Sequence, residues 1–257
     1  MFSKTFLNFL FLLHKLRMLL YNFIMNYDNL YIISDLHLEH KNIIKYCNRP
    51  YDMNSIESIE QMNEDILAEF DKLPENSIII NCGDVSLNSK LTFDKLASWV
   101  SRMKQNNKKL WLILGNHDRE MHRRAKYFKN AFADAVELFE TVGFDKVFES
   151  PILLGNKYLL SHEPVYLNPG NNLINFYGHT HDTCVDENYF NHECDNYAMM
   201  KRVKENPELT KQTNLDIDTE KLSRTDLIVD TKNYFNVCWD ANHKILKYTD
   251  ILHKLSK

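Results

Sequence analysis

The sequence has no CxxC pair, no uninterrupted apolar run long enough to cross a bilayer, no excess of basic charge and no internal repeat. Each absence removes a class of function. The five cysteines, Cys47, Cys82, Cys184, Cys194 and Cys238, are odd in number and scattered. That argues against a disulfide framework and for free thiols in a reducing compartment, hence a cytoplasmic protein. Cys184, His192 and Cys194 lie near one another, but no fourth ligand accompanies them at finger-like spacing, so a structural zinc site is not read there. The formal net charge of −4 gives no bulk field for nucleic acid. A local basic run, Arg119, Arg123, Arg124 and Lys126, is the feature that would favour a nuclease instead.

The first 24 residues are rich in Phe and Leu but are interrupted by Lys15 and Arg17, so no stable membrane span is expected. Lys4 precedes an apolar run, as in a signal peptide, yet no small-residue cleavage site comes after it. Three readings stand for this leader: an amphipathic helix on a membrane surface, an ordinary docking helix, or upstream residues of a chain that starts at Met25. The favoured reading leaves it outside the chemistry.

The rest of the chain has the balance of a globular domain, with 44% hydrophobic and 26% charged residues overall. Residues 25–257 are read as a single domain able to bury a substantial core. Short apolar runs read as buried strands at Leu30–Ser34, Ser77–Asn81, Leu110–Leu114, Lys157–Ser161, Leu173–Tyr177 and Tyr234–Trp239. Helical spacing marks Ser55–Leu73, closed by Pro74, and Thr92–Met103, with Thr92 as N-cap. Strands alternating with helices predict a layered α/β domain. Residues 187–231 are polar and charged, with weak apolar periodicity, and read as a surface insertion containing a short helix. Trp99, Trp111 and Trp239 fit core positions.

The chemistry lies at the end of each strand. The strand ends run into Ser34-Asp35-Leu36-His37, Asn81-Cys82-Gly83-Asp84, Gly115-Asn116-His117-Asp118, His162-Glu163-Pro164 and Gly178-His179-Thr180-His181. In open α/β sheets, ligands gather at the carboxyl ends of strands, so these side chains can meet in one crevice. Asp35 and His37 are two residues apart, as are His179 and His181. On an extended backbone each pair points to one side. Gly83, Gly115 and Gly178 allow sharp turns beside their neighbours. The donors are carboxylate, imidazole and amide, without thiolate. That set suits Mn²⁺, Fe or Zn²⁺ in an open site and disfavours a closed structural zinc site. Seven such groups are too many for one open ion and suit two ions sharing a carboxylate, which together clamp the attacking and leaving oxygens of a phosphoryl displacement.

The blocks DLH, GD, GNHD, SHEP and GHTH, in this order from Tyr31 to His181 with an echo at Asn236–Asp240, resemble the calcineurin-like metallophosphoesterases. The resemblance implies a four-layer α-β-β-α sandwich and a dinuclear metal-dependent hydrolase. It assigns Asp35, His37 and His181 to a first divalent ion, and Asn116, His162 and His179 to a second. Asp84 bridges them, and a metal-bridging hydroxide attacks phosphorus. Manganese is the favoured metal, with Fe and Zn²⁺ compatible. His117 faces the leaving group as acid or charge stabiliser, and Asp118 is expected to orient it. The stretch from His40 to Pro50 is similar to a small, cap-less bacterial and phage-type subgroup. Glu39 departs from it, since a glycine is expected there. Arg49 and His40 are read as contacts to substrate phosphate, against a salt bridge for Arg49 and loop packing for His40. Asn42 reads as a helix cap. The implied substrate is a small phosphate mono- or diester, nucleotide-like substrates included; a nuclease and a non-catalytic metal-binding scaffold are the rivals.

Overall fold

The computed structural model describes residues 27–129, 131–168, 170–186, 189–190 and 229–256. The leader and most of the polar insertion lie outside these residues, so the expectations made for them are not addressed by the fold. In chain order the strands and helices are β1 (Leu30–Ile33), α1 (Lys41–Tyr46), α2 (Ile56–Asp71), β2 (Ile78–Asn81), α3 (Phe93–Met103), β3 (Lys109–Ile113), α4 (Asn116–Arg124), α5 (Ala135–Thr141), β4 (Lys146–Phe148), β5 (Ile152–Leu154), β6 (Tyr158–Ser161), β7 (Ile174–Tyr177), β8 (Tyr234–Asn236), α6 (Trp239–Asn242), β9 (Leu246–Lys247) and α7 (Tyr248–Leu255).

Two sheets form. The first has five strands in the order β4-β3-β2-β1-β9, parallel except for β9. The second has four in the order β5-β6-β7-β8, with β5 antiparallel. Alternation along the first sheet explains how it is buried on both faces. Leu30, Ile32, Ile80, Trp111 and Ile113 face Leu160, Phe176 and Val237 of the second sheet side in one cluster. Tyr31, Ile33, Ile79, Leu110 and Leu112 join the opposite cluster with Ile66 and Phe70 of α2 and Leu96 and Val100 of α3. Each such side chain, fully buried, contributes about 1.5–3 kcal/mol. On the far face of the second sheet, Tyr177 and Tyr234 pack against Leu167, Val185, Tyr189 and Phe190, which sit in connecting segments among the described residues.

The helix caps obey local chemistry. Ser55 accepts from Ser58 N–H at 3.1 Å and Thr92 accepts from Lys95 N–H at 3.3 Å. Asn42 is not a cap: α1 begins at Lys41, its N-cap is His40, and Asn42 lies inside the first turn. The extended run at Tyr234–Trp239 is also shorter than its apolar pattern suggests. After Asn236 the chain turns into α6, whose first residue is Trp239.

Candidate metal centre

All seven candidate metal ligands and the two candidate catalytic residues sit at the carboxyl ends of β1, β2, β3, β6 and β7, so both sheets feed one crevice. The local backbone differs from the extended geometry expected. Asp35 and His37 have φ of 59° and 50°, and His179 and His181 have 70° and 53°. These are left-handed conformations that cost non-glycine residues of the order of 1–3 kcal/mol and collect at functional sites. The paired side chains therefore converge through turns rather than by strand periodicity. Asp84 shares the feature, with φ 56°.

The glycines divide the work. Gly83 turns, with φ 107°. Gly115 and Gly178 do not have positive φ; they are needed for close approach. A Cβ on Gly115 would lie 2.1 Å from Asp84 Oδ1, and one on Gly178 would lie 2.1 Å from Ser34 Oγ and 2.6 Å from Asp35 Oδ2. Close contact between separate strand loops is thus part of how the crevice is assembled.

At its floor, Asp35 is fully buried. Its Oδ2 accepts from His179 N–H at 2.8 Å and from the Cys238 thiol at 3.2 Å. Its Oδ1 faces His37 Nε2 at 3.7 Å, too long for a hydrogen bond. Among the described residues neither of these two atoms has a hydrogen-bond partner. Asp84 Oδ1 accepts from His117 N–H at 3.0 Å, while Oδ2 lies 3.6 Å from His37 Nε2, 3.5 Å from His162 Nε2 and 3.9 Å from His117 Nε2. Asp84 Oδ2 is therefore flanked by histidines from both proposed ion sites.

A second cluster adjoins it. Asn116 Oδ1 lies 2.9 Å from His162 Nε2 and 3.1 Å from His179 Nδ1. His162 Nδ1 donates to the Cys82 carbonyl at 2.9 Å, which leaves Nε2 as the lone-pair nitrogen facing the crevice. Two donor groups emerge close enough to enclose cations: Asp35 with His37 and His181, and Asp35 with Asp84 and His162. Two further groups share these residues: His37 with Asp84 and His117, and Cys47 with His181 and Asp240.

Burial and mutual charge perturb the titrating groups at this floor. Burial, reinforced by the Asp118 and Asp35 carboxylates, raises Asp84 to about 7. Burial lowers His37 to about 3 and His40 to about 4. For His162 burial works downward, but Asp84, Asp35 and Asp118 outweigh it and raise the pKa. For Asp35 burial works upward, and the contact with His37, with the charges of His162 and His181, holds it well below the carboxylate range. Such a concentration of perturbed groups in one crevice is the pattern of a functional site. The donor set of carboxylates, imidazoles and an amide, with two buried atoms left unpaired, fits divalent cations.

Arg49 and Asp118 depart from their expected places, His40 keeps both of its readings, and Asp240 joins the site. Arg49 is buried, and all five of its donors are used inside the protein: Nε and Nη2 on Asp240 at 2.7 and 3.0 Å, Nη2 on the Asp35 carbonyl at 3.0 Å, and Nη1 on the Leu36 carbonyl at 2.9 Å and Met62 Sδ at 3.6 Å. It has no donor left for substrate phosphate. Asp118 does not reach His117. Its carboxylate accepts from the main-chain N–H groups of Asp84, Val85 and Gly115 at 2.7, 3.0 and 3.0 Å, tying two loops together. His40 hydrogen-bonds His37, Nδ1 to Nδ1, at 3.2 Å and lines a cavity of about 690 Å³ with Glu39, Lys41, Asn88 and Lys90. Asp240 was not expected as a site residue, although it falls in the Asn236–Asp240 echo: its Oδ2 accepts from His181 Nδ1 at 2.8 Å.

Comparison with known proteins agrees with this geometry. The calcineurin-like phosphoesterase family profile matches residues 29–216. An uncharacterized protein of Methanocaldococcus jannaschii is 27% identical over 169 residues, covering 63% of this chain and 75% of that protein. The ordered strand-end blocks, the two stacked sheets and the profile match agree, and the chain belongs to the calcineurin-like phosphoesterase family.

Proposed function

We propose that this chain hydrolyses small phosphate esters, mono- or diesters, with two divalent cations, Mn²⁺ for preference, in a reducing, cytoplasmic setting. Family membership already implies metal-dependent phosphoester hydrolysis. The observation that carries the finer reading is the pair of buried, unpaired atoms Asp35 Oδ1 and His37 Nε2, which lie 3.7 Å apart with Asp84 Oδ2 3.6 Å from the same nitrogen. These separations are too long for hydrogen bonds and leave donor atoms of three side chains facing one another. Unpaired buried polar atoms each cost about 1–3 kcal/mol, and a cation removes that cost.

Asp35, His37 and His181 would hold one ion and Asn116, His162 and His179 the other, with Asp84 shared. When bound, the cations supply the positive charge that polarises a phosphoryl oxygen and lowers the pKa of water. The chain's own residues do the remaining work. The main-chain N–H of His117 holds Asp84 Oδ1, so the shared carboxylate cannot rotate freely. The His117 side chain is 29% exposed and stands beside Asp84, open to a leaving group. Burial, with the charges of His162 and His179, lowers its pKa, which makes its proton easier to release once it is protonated. Through its bond to His37, His40 joins the proposed ligands to the cavity of about 690 Å³ that it lines, which supports a substrate contact there.

The nuclease alternative draws little support from the basic run. Arg119 donates to the Leu114 and Glu149 carbonyls at 3.0 and 2.9 Å, and Arg124 pairs with Glu120. Among the described residues no helix is long and apolar enough to cross a membrane. Among the described residues Cys47, Cys82, Cys184 and Cys238 are free thiols, which favours the reducing compartment.

The test is hydrolysis of p-nitrophenyl phosphate and bis-p-nitrophenyl phosphate by metal-stripped protein, with and without added Mn²⁺. Activity on at least one ester is expected to depend on the metal, and Asp84→Asn is expected to remove nearly all of it. Full turnover by Asp84→Asn would overturn the shared-carboxylate reading.

A further inference from the structure

We infer that Arg49 and Asp240 form a positioning unit for the first cation site, in which Asp240 sets His181 and Arg49 sets both Asp240 and the turn that carries Asp35 and His37. The inference rests on the two-cation reading above. Neither residue is among the proposed ligands; both would act through them.

The geometry has two arms. In one, Asp240 Oδ2 accepts from His181 Nδ1 at 2.8 Å. A ring nitrogen committed to a carboxylate carries the proton, so the lone pair is placed on Nε2. The ring then stands 5.1 Å, centroid to centroid, from that of His37. In the other arm, Arg49 donates to the main-chain carbonyls of Asp35 and Leu36 at 3.0 and 2.9 Å. Those carbonyls belong to the left-handed turn in which Asp35 and His37 have φ of 59° and 50°. A turn that non-glycine residues seldom adopt needs outside bonds to hold it. The bidentate contact of Arg49 Nε and Nη2 with Asp240, at 2.7 and 3.0 Å, joins the arms.

Burial distinguishes this pair from a surface salt bridge. Arg49 is 5% exposed and Asp240 7%. Removing both charges from water is costly and gives little net stability, so stability alone does not explain the pair. What it does supply is fixed direction, because every donor of Arg49 is used. The pair also bridges 191 residues of sequence, linking the segment after α1, beside the first sheet, to α6, which comes after the last strand of the second. Cys47, His181 and Asp240 are close enough to enclose an ion themselves. The guanidinium already seated on both oxygens of Asp240 opposes a cation there and favours the positioning role.

The experiment uses the full chain stripped of metal, with Mn²⁺ alone as the probe. Calorimetric titration of the wild type is expected to give two binding events. In Asp240→Asn one event should weaken about 10–100-fold, the range for loss of a carboxylate behind a histidine ligand, while the other changes less than about threefold. The thermal midpoint of the stripped variant is measured alongside. A lower midpoint with both Mn²⁺ affinities unchanged would show a merely structural pair and overturn the inference, as would equal weakening of both events. If Asp240→Asn does not fold, Asp240→Glu, which keeps the charge but moves the carboxylate by one methylene, is judged by the same criterion. A wild type that takes up no Mn²⁺ overturns the two-cation reading itself, and this inference with it.

Discussion

Glu39 occupies a backbone position suited to glycine. Its φ is 62°, and its side chain is half-buried. The main-chain N–H donates to Asn63 Oδ1 at 2.9 Å, and the carboxylate accepts from Asn63 Nδ2 at 3.0 Å, Asn88 Nδ2 at 3.1 Å and Lys95 Nζ. The departure from the family pattern at this position is thus a fastened one: the polar contacts offset the left-handed strain. Two substitutions separate the terms. Glu39→Ala keeps the strain and loses the carboxylate, so it should cost about 2–3 kcal/mol. Glu39→Gly loses the same contacts but relieves the strain, and should be more stable than the alanine variant by about 1 kcal/mol. Urea unfolding of the stripped proteins measures both; equal midpoints would mean the turn is not strained. At this scale the candidate ligands were legible because each sits in a short block directly after an apolar strand. The roles of Arg49 and Asp240 were not, because they depend on a contact between residues 191 positions apart. A phosphate contact and a buried clamp call for the same residue type, and only burial tells them apart.

At the scale of elements, the junction between β2, β3 and α4 depends on one carboxylate. Asp118 is fully buried at the first turn of α4 and accepts from three main-chain donors on two loops. Burial raises its pKa, with the Gly115, Val85 and Asp84 N–H groups pulling the other way. Asp118→Ala would leave three buried N–H groups unpaired, at about 1–3 kcal/mol each. The variant should lose at least about 3 kcal/mol in denaturant unfolding, and the proposed cation sites should loosen because Asp84 and Asn116 lie on the loops it joins. A variant of wild-type stability would show that these donors find water instead. The central strands were legible from their apolar β-branched runs, since strands buried on both faces have little freedom in composition. The edges were not. β4, β5 and β9 are three, three and two residues long, and β4 and β5 are partly exposed, too short to carry a period. α7 was hidden for a similar reason, since its eight residues bury only Tyr248 and Ile251.

The described residues form two sheets pressed face to face, with the crevice built from the ends of both. Two consequences can be measured. The first is alkaline lability. Burial, with the Asp65 hydrogen bond, raises Tyr51 to about 12, and burial raises Tyr234 to about 12. An unfolded tyrosine releases its proton near pH ~10. Between about pH 10 and 12 the folded state therefore holds more protons than the unfolded one, so stability is full below that window and falls as the pH rises through it. Tyrosinate absorbance read against urea midpoints from about pH 9 to 11.5 tests the sign. The second concerns the cations. Asp35 and Asp84 come from the first sheet and His162, His179 and His181 from the second, so the donor set exists only when the sheets are stacked. Ions that bind only the folded chain stabilise it by mass action, about 2.7 kcal/mol per site at one hundred times Kd. At this chain size about 1 kcal/mol moves the midpoint by about 2–4 °C, so each filled site should raise it by roughly 5–10 °C. Thermal melts of one preparation in excess chelator and in excess Mn²⁺ should differ by at least that much. Coincident melts would mean that the strand ends meet without gripping an ion, and the crevice would then need a different account of why two of its deepest atoms are unpaired.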